Sequence, residues 1–419
     1  MTPFQLISLV VSVTALLSFI NRRYLRLPTT IGVTLAGLAV SVLLLGLVGL
    51  QVPAAETVVK VLGTFKFNDV LFQGLLSFLL FAGALSLNTG ELFRQRTAVL
   101  TFALVSTALS IVLVGALVYG LLHLVGLGVS WPFALLFGAI ISPTDPVAVL
   151  DLLKRAKVPA RLEALVAGES LFNDGIGVVA FAVIAAIASG AGHASPTPLA
   201  VAGLFAQEAL GGVLFGAVLG YLAYLLLRQV DDYVVEVLIT LAVVTGGYAL
   251  ADLLHLSGPL AMVVAGLLIG QLNDRGVLSD TSKPHFDGFW HLTDEILNTG
   301  LFVLIALEVV AVSFSPLTLL LGLACVPIVL FSRAVSVQLP LSLLGRRYSF
   351  SPFTAQVMTW GGLRGGIAVA LAFSVPPGPQ HDIFLVLTYV VVVFSIVVQG
   401  LTMGRLARRA AGALPESAA

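Results

Sequence analysis

Apolar positions in this chain do not alternate with polar ones. They gather into long runs, separated by short segments of turn residues and charge, and this recurs from one end to the other. A helix needs roughly 20 apolar residues to cross bilayer hydrocarbon, and hydropathy read against turn and charge signals places about thirteen such spans. They lie near 3–20, 29–50, 70–88, 97–124, 131–153, 161–189 and 199–227, then 232–253, 257–272, 292–314, 316–344, 352–374 and 382–407. At membrane depth each backbone polar group needs an internal partner, so helices are the expected spanning element. The pattern predicts an all-α polytopic membrane protein.

Composition agrees. Hydrophobic residues make up 58% of the chain and charged residues 10%, against roughly 25% charged in soluble domains. The distribution of charge adds orientation. The loop after the first span carries Arg22, Arg23 and Arg26, and every second loop thereafter is basic. In all, 17 of the 21 basic residues fall on one side, while the opposite loops hold Lys60 and Lys66. Basic loops stay in the cytoplasm. The expected topology is therefore an odd number of spans in the plasma (inner) membrane, with the N-terminus outside and the C-terminus cytoplasmic. Residues Met1 to Ile20 lack a basic n-region and read as a retained span rather than a signal peptide. The single cysteine, Cys325, forms no internal disulfide. No basic face survives for nucleic acid. The connections at 51–69 and 273–291 and the tail after Arg409 are too short for a soluble domain.

A charge inside a bilayer is costly unless paired or wetted, so intramembrane ionisable residues mark function by default. Four stretches hold them. Ser142-Pro143-Thr144-Asp145-Pro146 lies midway along the fifth span. Each proline removes an N–H and turns the residue before it away from helix, so the span is expected to break. The freed half-helix ends can bind ions; a kinked helix with a capping aspartate is the plainer reading. Gly168-Glu169-Ser170-Leu171-Phe172-Asn173-Asp174-Gly175 opens the sixth span, and helical spacing sets Glu169 with Asn173 and Ser170 with Asp174. A cytoplasmic helix end explains Glu169 but not Asp174, which an apolar run follows. Arg333, inside Ile328–Val335, stays charged and calls for a buried carboxylate. Snorkelling toward Arg346 is a long reach. Thr359-Trp360-Gly361-Gly362-Leu363-Arg364-Gly365-Gly366 weakens the twelfth span with glycines. No βαβ unit surrounds it, which excludes a dinucleotide fingerprint; a small-residue packing face leaves Arg364 unexplained. The fifth and twelfth spans, both interrupted, cross in opposite directions. Paired broken helices of this kind point to a transporter with inverted repeats.

The Ser142–Val149 and Gly168–Gly175 stretches, in this order, together resemble the cation:proton antiporter-1 family. Within it the chain is similar to the prokaryotic NhaP-type Na⁺/H⁺ antiporters, and Arg333 and Gly361–Gly366 fit the same pattern. The resemblance implies a secondary transporter, not an enzyme, exchanging Na⁺ (with Li⁺) for H⁺ by alternating access, without a cofactor. It implies NhaA/NhaP-like inverted repeats with two crossing broken helices. It also implies an ion-binding core at about 97–189 and 316–409, and a dimerisation scaffold at about 3–88 and parts of 199–314. Asp145 and Asp174 would alternately hold cation and protons, helped by Ser170 and the backbone around Thr144. Asn173 would orient these groups, and Glu169 would pair with Arg333. Members with Asn-Asp at this place resemble electroneutral exchangers, and the family is homodimeric. Some members carry a carboxylate in the third span. Here that stretch reads Phe81 to Asn88, with Asn88 as a neutral oxygen donor or an idle position.

Other classes fit less well. An intramembrane aspartyl protease needs a Gly-x-Gly-Asp-type element, which Thr-Asp-Pro and Asn-Asp-Gly do not supply. The six histidines form no metal-spaced pair, and His291 with Glu295 reads as a helix-start pair. No carbonyl-rich filter suggests a channel. K⁺/H⁺ exchange remains open, because oxygen chemistry alone does not separate K⁺ from Na⁺.

Overall fold

The computed structural model describes residues 3–63, 70–190, 198–273, 276–346, 348, 350–351 and 353–412. Lys66, His193, Arg275, Arg347 and the chain end after 412, which entered the charge, histidine and tail arguments, lie outside the described residues. In chain order the helices are α1 (Pro3–Ile20), α2 (Thr29–Gly49), α3 (Pro53–Gly63), α4 (Leu76–Leu85), α5 (Thr89–Arg94) and α6 (Arg96–Leu124). There follow α7 (Trp131–Ile141), α8 (Val147–Ala156), α9 (Ala160–Ala188), α10 (Pro198–Leu227), α11 (Tyr233–Leu253) and α12 (Gly258–Asn273). The last are α13 (Lys283–Glu308), α14 (Pro316–Leu344), α15 (Thr354–Trp360), α16 (Gly366–Phe373) and α17 (Pro379–Gly412). No strand forms among the described residues.

Seven of these helices, α2, α6, α9, α10, α11, α14 and α17, are individually long and apolar enough to cross a membrane. The apolar helices α4, α7 and α12 are shorter. The fifth and twelfth predicted spans are each broken, into α7–α8 and α15–α16.

Three boundaries are refined. The third span, placed near 70–88, begins as a wide turn at Leu71–Leu75, and its helix ends at Leu85. The connection 51–69 contains α3, an amphipathic helix with Ala55 buried and Lys60 exposed. The tenth span, expected at 292–314, is α13 and starts at Lys283. Its charged first half misled a hydropathy reading, yet Phe286 and Trp290, one turn apart, are buried. Trp290 packs on Phe81 at 4.8 Å between ring centres and donates from Nε1 to Thr240 at 3.1 Å. Helical spacing of two aromatic anchors outweighs local composition.

Burial divides into two principal apolar clusters. One gathers α7, α16, the second half of α13 and the first half of α14. The other gathers α4, α8, α12, α15 and the first turns of α13. α7 to α8 runs from the first cluster to the second, and α15 to α16 runs back. The two breaks thus lie at one level, between two apolar layers.

Replacing Trp290 removes the anchor that holds the polar start of α13. Trp290→Ala is expected to cost about 3 kcal/mol, read as a lowered thermal unfolding midpoint of the detergent-purified protein.

Candidate functional site

The site begins as a backbone problem. In an unbroken helix the Ser142 carbonyl would accept from the N–H of residue 146, and the Ala139 carbonyl from that of residue 143. Both positions are proline, so neither donor exists. Water is scarce at this depth, and an unpaired buried carbonyl is costly. Arg364, 1% exposed, supplies the missing donor: its Nη1 donates to the Ser142 carbonyl and, at 3.0 Å, to that of Pro143. A cation at the C-terminal end of α7 also complements the helix dipole.

The second break is resolved by the same logic. After α15 the Trp360 carbonyl accepts from Gln399 Nε2 at 2.9 Å, and the Met358 carbonyl from Arg333 Nε at 3.2 Å. The Leu363 carbonyl accepts from the Asp145 N–H at 2.8 Å, an antiparallel bridge that ties the two breaks together. The crossing of two broken helices is therefore a physical contact.

Asp145 sits where two half-helices begin. Its Oδ1 accepts from the Val147 N–H at 2.9 Å, capping α8. Its Oδ2 lies against Gly365, the residue that caps α16, so closely that a Cβ there would overlap the carboxylate. Two helix N-termini thus face one carboxylate, a favourable setting for negative charge.

α9 contributes the polar side chains on successive turns. Glu169, 1% exposed, receives both ends of the Arg333 guanidinium, at 2.8 Å from Nη1 and 2.8 Å from Nη2. Asn173 donates to Glu169 Oε1 at 2.9 Å and to Thr144 Oγ1 at 2.8 Å, and its Oδ1 accepts from the Thr144 N–H at 3.1 Å. The amide is thereby locked in one orientation. The Thr144 and Ser170 hydroxyls share a hydrogen bond at 2.8 Å. Asp174 is 7% exposed, and its carboxylate makes no hydrogen bond to the described residues. It is the acid left free.

A cavity of about 400 Å³ reaches this cluster and is lined by Asp145, Asp174 and Thr144 at depth and by Asn88 and Lys154 at its mouth. The mouth lies on the face carrying the basic loops. On the other side α7 and α16 close the site with Ile140, Ile141, Ala368 and Val369, all buried.

Of the residues singled out in sequence, Thr144, Asp145, Glu169, Ser170, Asn173, Asp174, Arg333 and Arg364 converge here. Asn88 does not. It is exposed at the rim, with its side-chain oxygen accepting from the Glu91 N–H at 3.0 Å as the cap of α5. Sequence reasoning missed Gln399 and Ser395, which bond each other at 2.6 Å; two polar residues one turn apart in an apolar run were the signal. It also read past Asp294 and Asn298, which line the same cavity from α13. No group of three or more potential metal-binding His, Cys, Asp or Glu side chains occurs among the described residues.

The sequence model described as sodium/hydrogen exchanger, transmembrane, matches residues 9–409. The Na⁺/H⁺ antiporter NhaP of Pseudomonas aeruginosa is 44% identical over 411 residues, covering 97% of this chain and 96% of that protein. The Na⁺/H⁺ antiporter NhaH of Halobacillus dabanensis is 33% identical over 396 residues, covering 92% and 93%. The structure of the sodium proton antiporter MjNhaP1 from Methanocaldococcus jannaschii aligns with a TM-score of 0.66 over 91% of this chain and 99% of that one. At 20% identity this likeness speaks to the fold.

Two outcomes follow from the geometry. Glu169→Gln or Arg333→Gln strands a buried charge, expected to cost about 3–5 kcal/mol. The double variant should recover part of that loss in thermal unfolding, because no charge is left alone. Gly365→Ala should displace the Asp145 carboxylate and reduce transport by at least about ten-fold, with expression and unfolding midpoint near wild type.

Proposed function

The chain belongs to the sodium/hydrogen exchanger family, and we propose that it exchanges Na⁺ for H⁺ at the crossing of its two broken helices. The observation that carries this reading is the cavity ending on two carboxylates, one of which, that of Asp174, accepts no hydrogen bond from the described residues. A hard monovalent cation takes oxygen ligands, and carboxylate, hydroxyl and backbone carbonyl oxygens gather here. Asp145, Asp174 and Ser170 are assigned as ligands, with the backbone around Thr144. Glu169, Asn173, Arg333 and Arg364 are assigned as the frame that holds them.

Charge balance supports one-for-one exchange. The layer holds three acids, Asp145, Glu169 and Asp174, and two arginines, Arg333 and Arg364. Fully ionised, it carries one negative charge in excess. One Na⁺ neutralises that charge, and so does one proton on Asp174, so the two compete for one vacancy. Crossing the membrane with either bound carries a neutral layer, whereas an empty layer is charged and costly to move through a low dielectric. Competition for one site with alternating access gives electroneutral exchange without a further energy source.

In this reading the core, about 97–189 and 316–409, moves against a scaffold of 3–88 and parts of 199–314. The structure then corresponds to a cytoplasm-facing state, since the cavity opens beside Lys154 and Glu163. A homodimer in the plasma membrane, with the N-terminus outside, belongs to the same proposal. The basic loops support that orientation.

The test is reconstitution into acid-loaded liposomes, following internal pH as NaCl, LiCl or KCl is added outside. Sodium-driven alkalinisation that ignores a K⁺/valinomycin clamp is the expected result, and the preferred salt identifies the cation. Asp174→Asn should abolish the signal while leaving protein level and unfolding midpoint intact. Proton flux retained by that variant would remove Asp174 from the mechanism.

A further inference from the structure

The cavity has a second polar wall. α13 sets Asp294 and Asn298 one turn apart on the side lining it, with His291 and Glu295 beside them. Asn298 donates from Nδ2 to the Asp294 carboxylate at 2.9 Å and to the Asp294 backbone carbonyl at 3.0 Å. Both donations come from the same end of the amide. The other end, Oδ1, accepts no hydrogen bond among the described residues, although Asn298 is only 6% exposed. That oxygen is reached from the cavity rather than sealed in the protein, so a cation entering there can take it as a ligand. Beside it stands a carboxylate, and Asp145 lies within electrostatic reach across the cavity.

The placement of α13 gives this pair its meaning. α13 packs on α1, α2 and α4 and meets the broken helices chiefly at α16. Asp145 and Asp174 belong to the core helices, whereas Asp294 and Asn298 stand on the opposite wall. At the mouth the one lysine in the lining, Lys154, is held by Glu163 at 3.8 Å, so its charge is partly compensated before it reaches the interior.

We propose that Asp294 and Asn298 form a transit site for a monovalent cation on the scaffold wall, loaded from the cytoplasmic face and emptied toward Asp145 and Asp174. The proposal rests on the antiport reading above. A carboxylate in a low-dielectric cleft raises the local concentration of cations. Because this carboxylate stays with the scaffold, it serves the core only when the cavity faces the cytoplasm. Exchange from the opposite face never meets it. The consequence is a built-in asymmetry of apparent Na⁺ affinity between the two faces.

The experiment compares half-saturating Na⁺ from each face, using everted and right-side-out membrane vesicles. Asp294→Asn is expected to raise the cytoplasmic half-saturation by about five-fold, with maximal rate within about two-fold and the opposite face unchanged. Asp294→Glu should retain wild-type values. Asn298→Ala, which leaves the charge in place, should shift the cytoplasmic value in the same direction by less. Added choline chloride should narrow the gap between wild type and Asp294→Asn, since salt screens the cleft potential. An equal shift on both faces, a loss of maximal rate alone, or no shift in either variant overturns the transit site. Failure of the wild type to exchange any cation would instead overturn the antiport reading.

Discussion

Two helices interrupted at membrane depth leave carbonyl groups that neither a helix nor water can satisfy, and the structure around the crossing answers that constraint. Pro146 leaves the Ser142 carbonyl without its helical donor, and Arg364 donates there and to the neighbouring Pro143 carbonyl. Arg333 and Gln399 do the same for Met358 and Trp360. Each donor then sets a further requirement. A buried Arg333 needs Glu169, and Glu169 fixes the amide of Asn173. Asn173 in turn holds Thr144 through both its N–H and its hydroxyl. Asp174 stands at the end of this sequence of obligations, beside the network without being consumed by it.

That arrangement separates rigidity from exchange. The ion pair and amide contacts are satisfied and enclosed, and buried polar networks of this kind specify geometry more than they add stability. The cavity meets the network at Asp145 and Asp174, outside the hydrogen-bonded frame of Glu169, Asn173 and Arg333. The apolar layers above and below confine the charges to one level. The cavity therefore reaches these charges from one side while packed side chains close the other. Asp294 and Asn298 extend the polar lining of the same cavity from α13.

Much of this was legible in the chain. Long apolar runs required helices, because no other open structure satisfies its backbone in lipid. Prolines flanking Thr144-Asp145 and glycines flanking Arg364 announced the two breaks, and isolated charges in apolar surroundings named most of the residues that converge at the crossing. What the pattern left open was local. Asn88 stands in the stretch where relatives carry a carboxylate and was left as a neutral donor or an idle position; here the helix ends at Leu85, and Asn88 caps the next one. The start of α13 was hidden because His285, Asp287 and Asp294 lower its hydropathy, although Phe286 and Trp290 are buried.

The sequence by itself determined that the chain is membrane-embedded and helical, and which residues are too costly at depth to be incidental. Those are properties of single residues and their near neighbours: transfer free energies, missing donors, helical spacing. Only the tertiary structure decided that Asp145 meets Leu363, that Arg364 faces carbonyls rather than a carboxylate, and that Gln399 and Asn298 join the polar layer. Such partnerships join positions far apart along the chain. They depend on which helix faces cross one another, and periodicity along a chain carries no information about that.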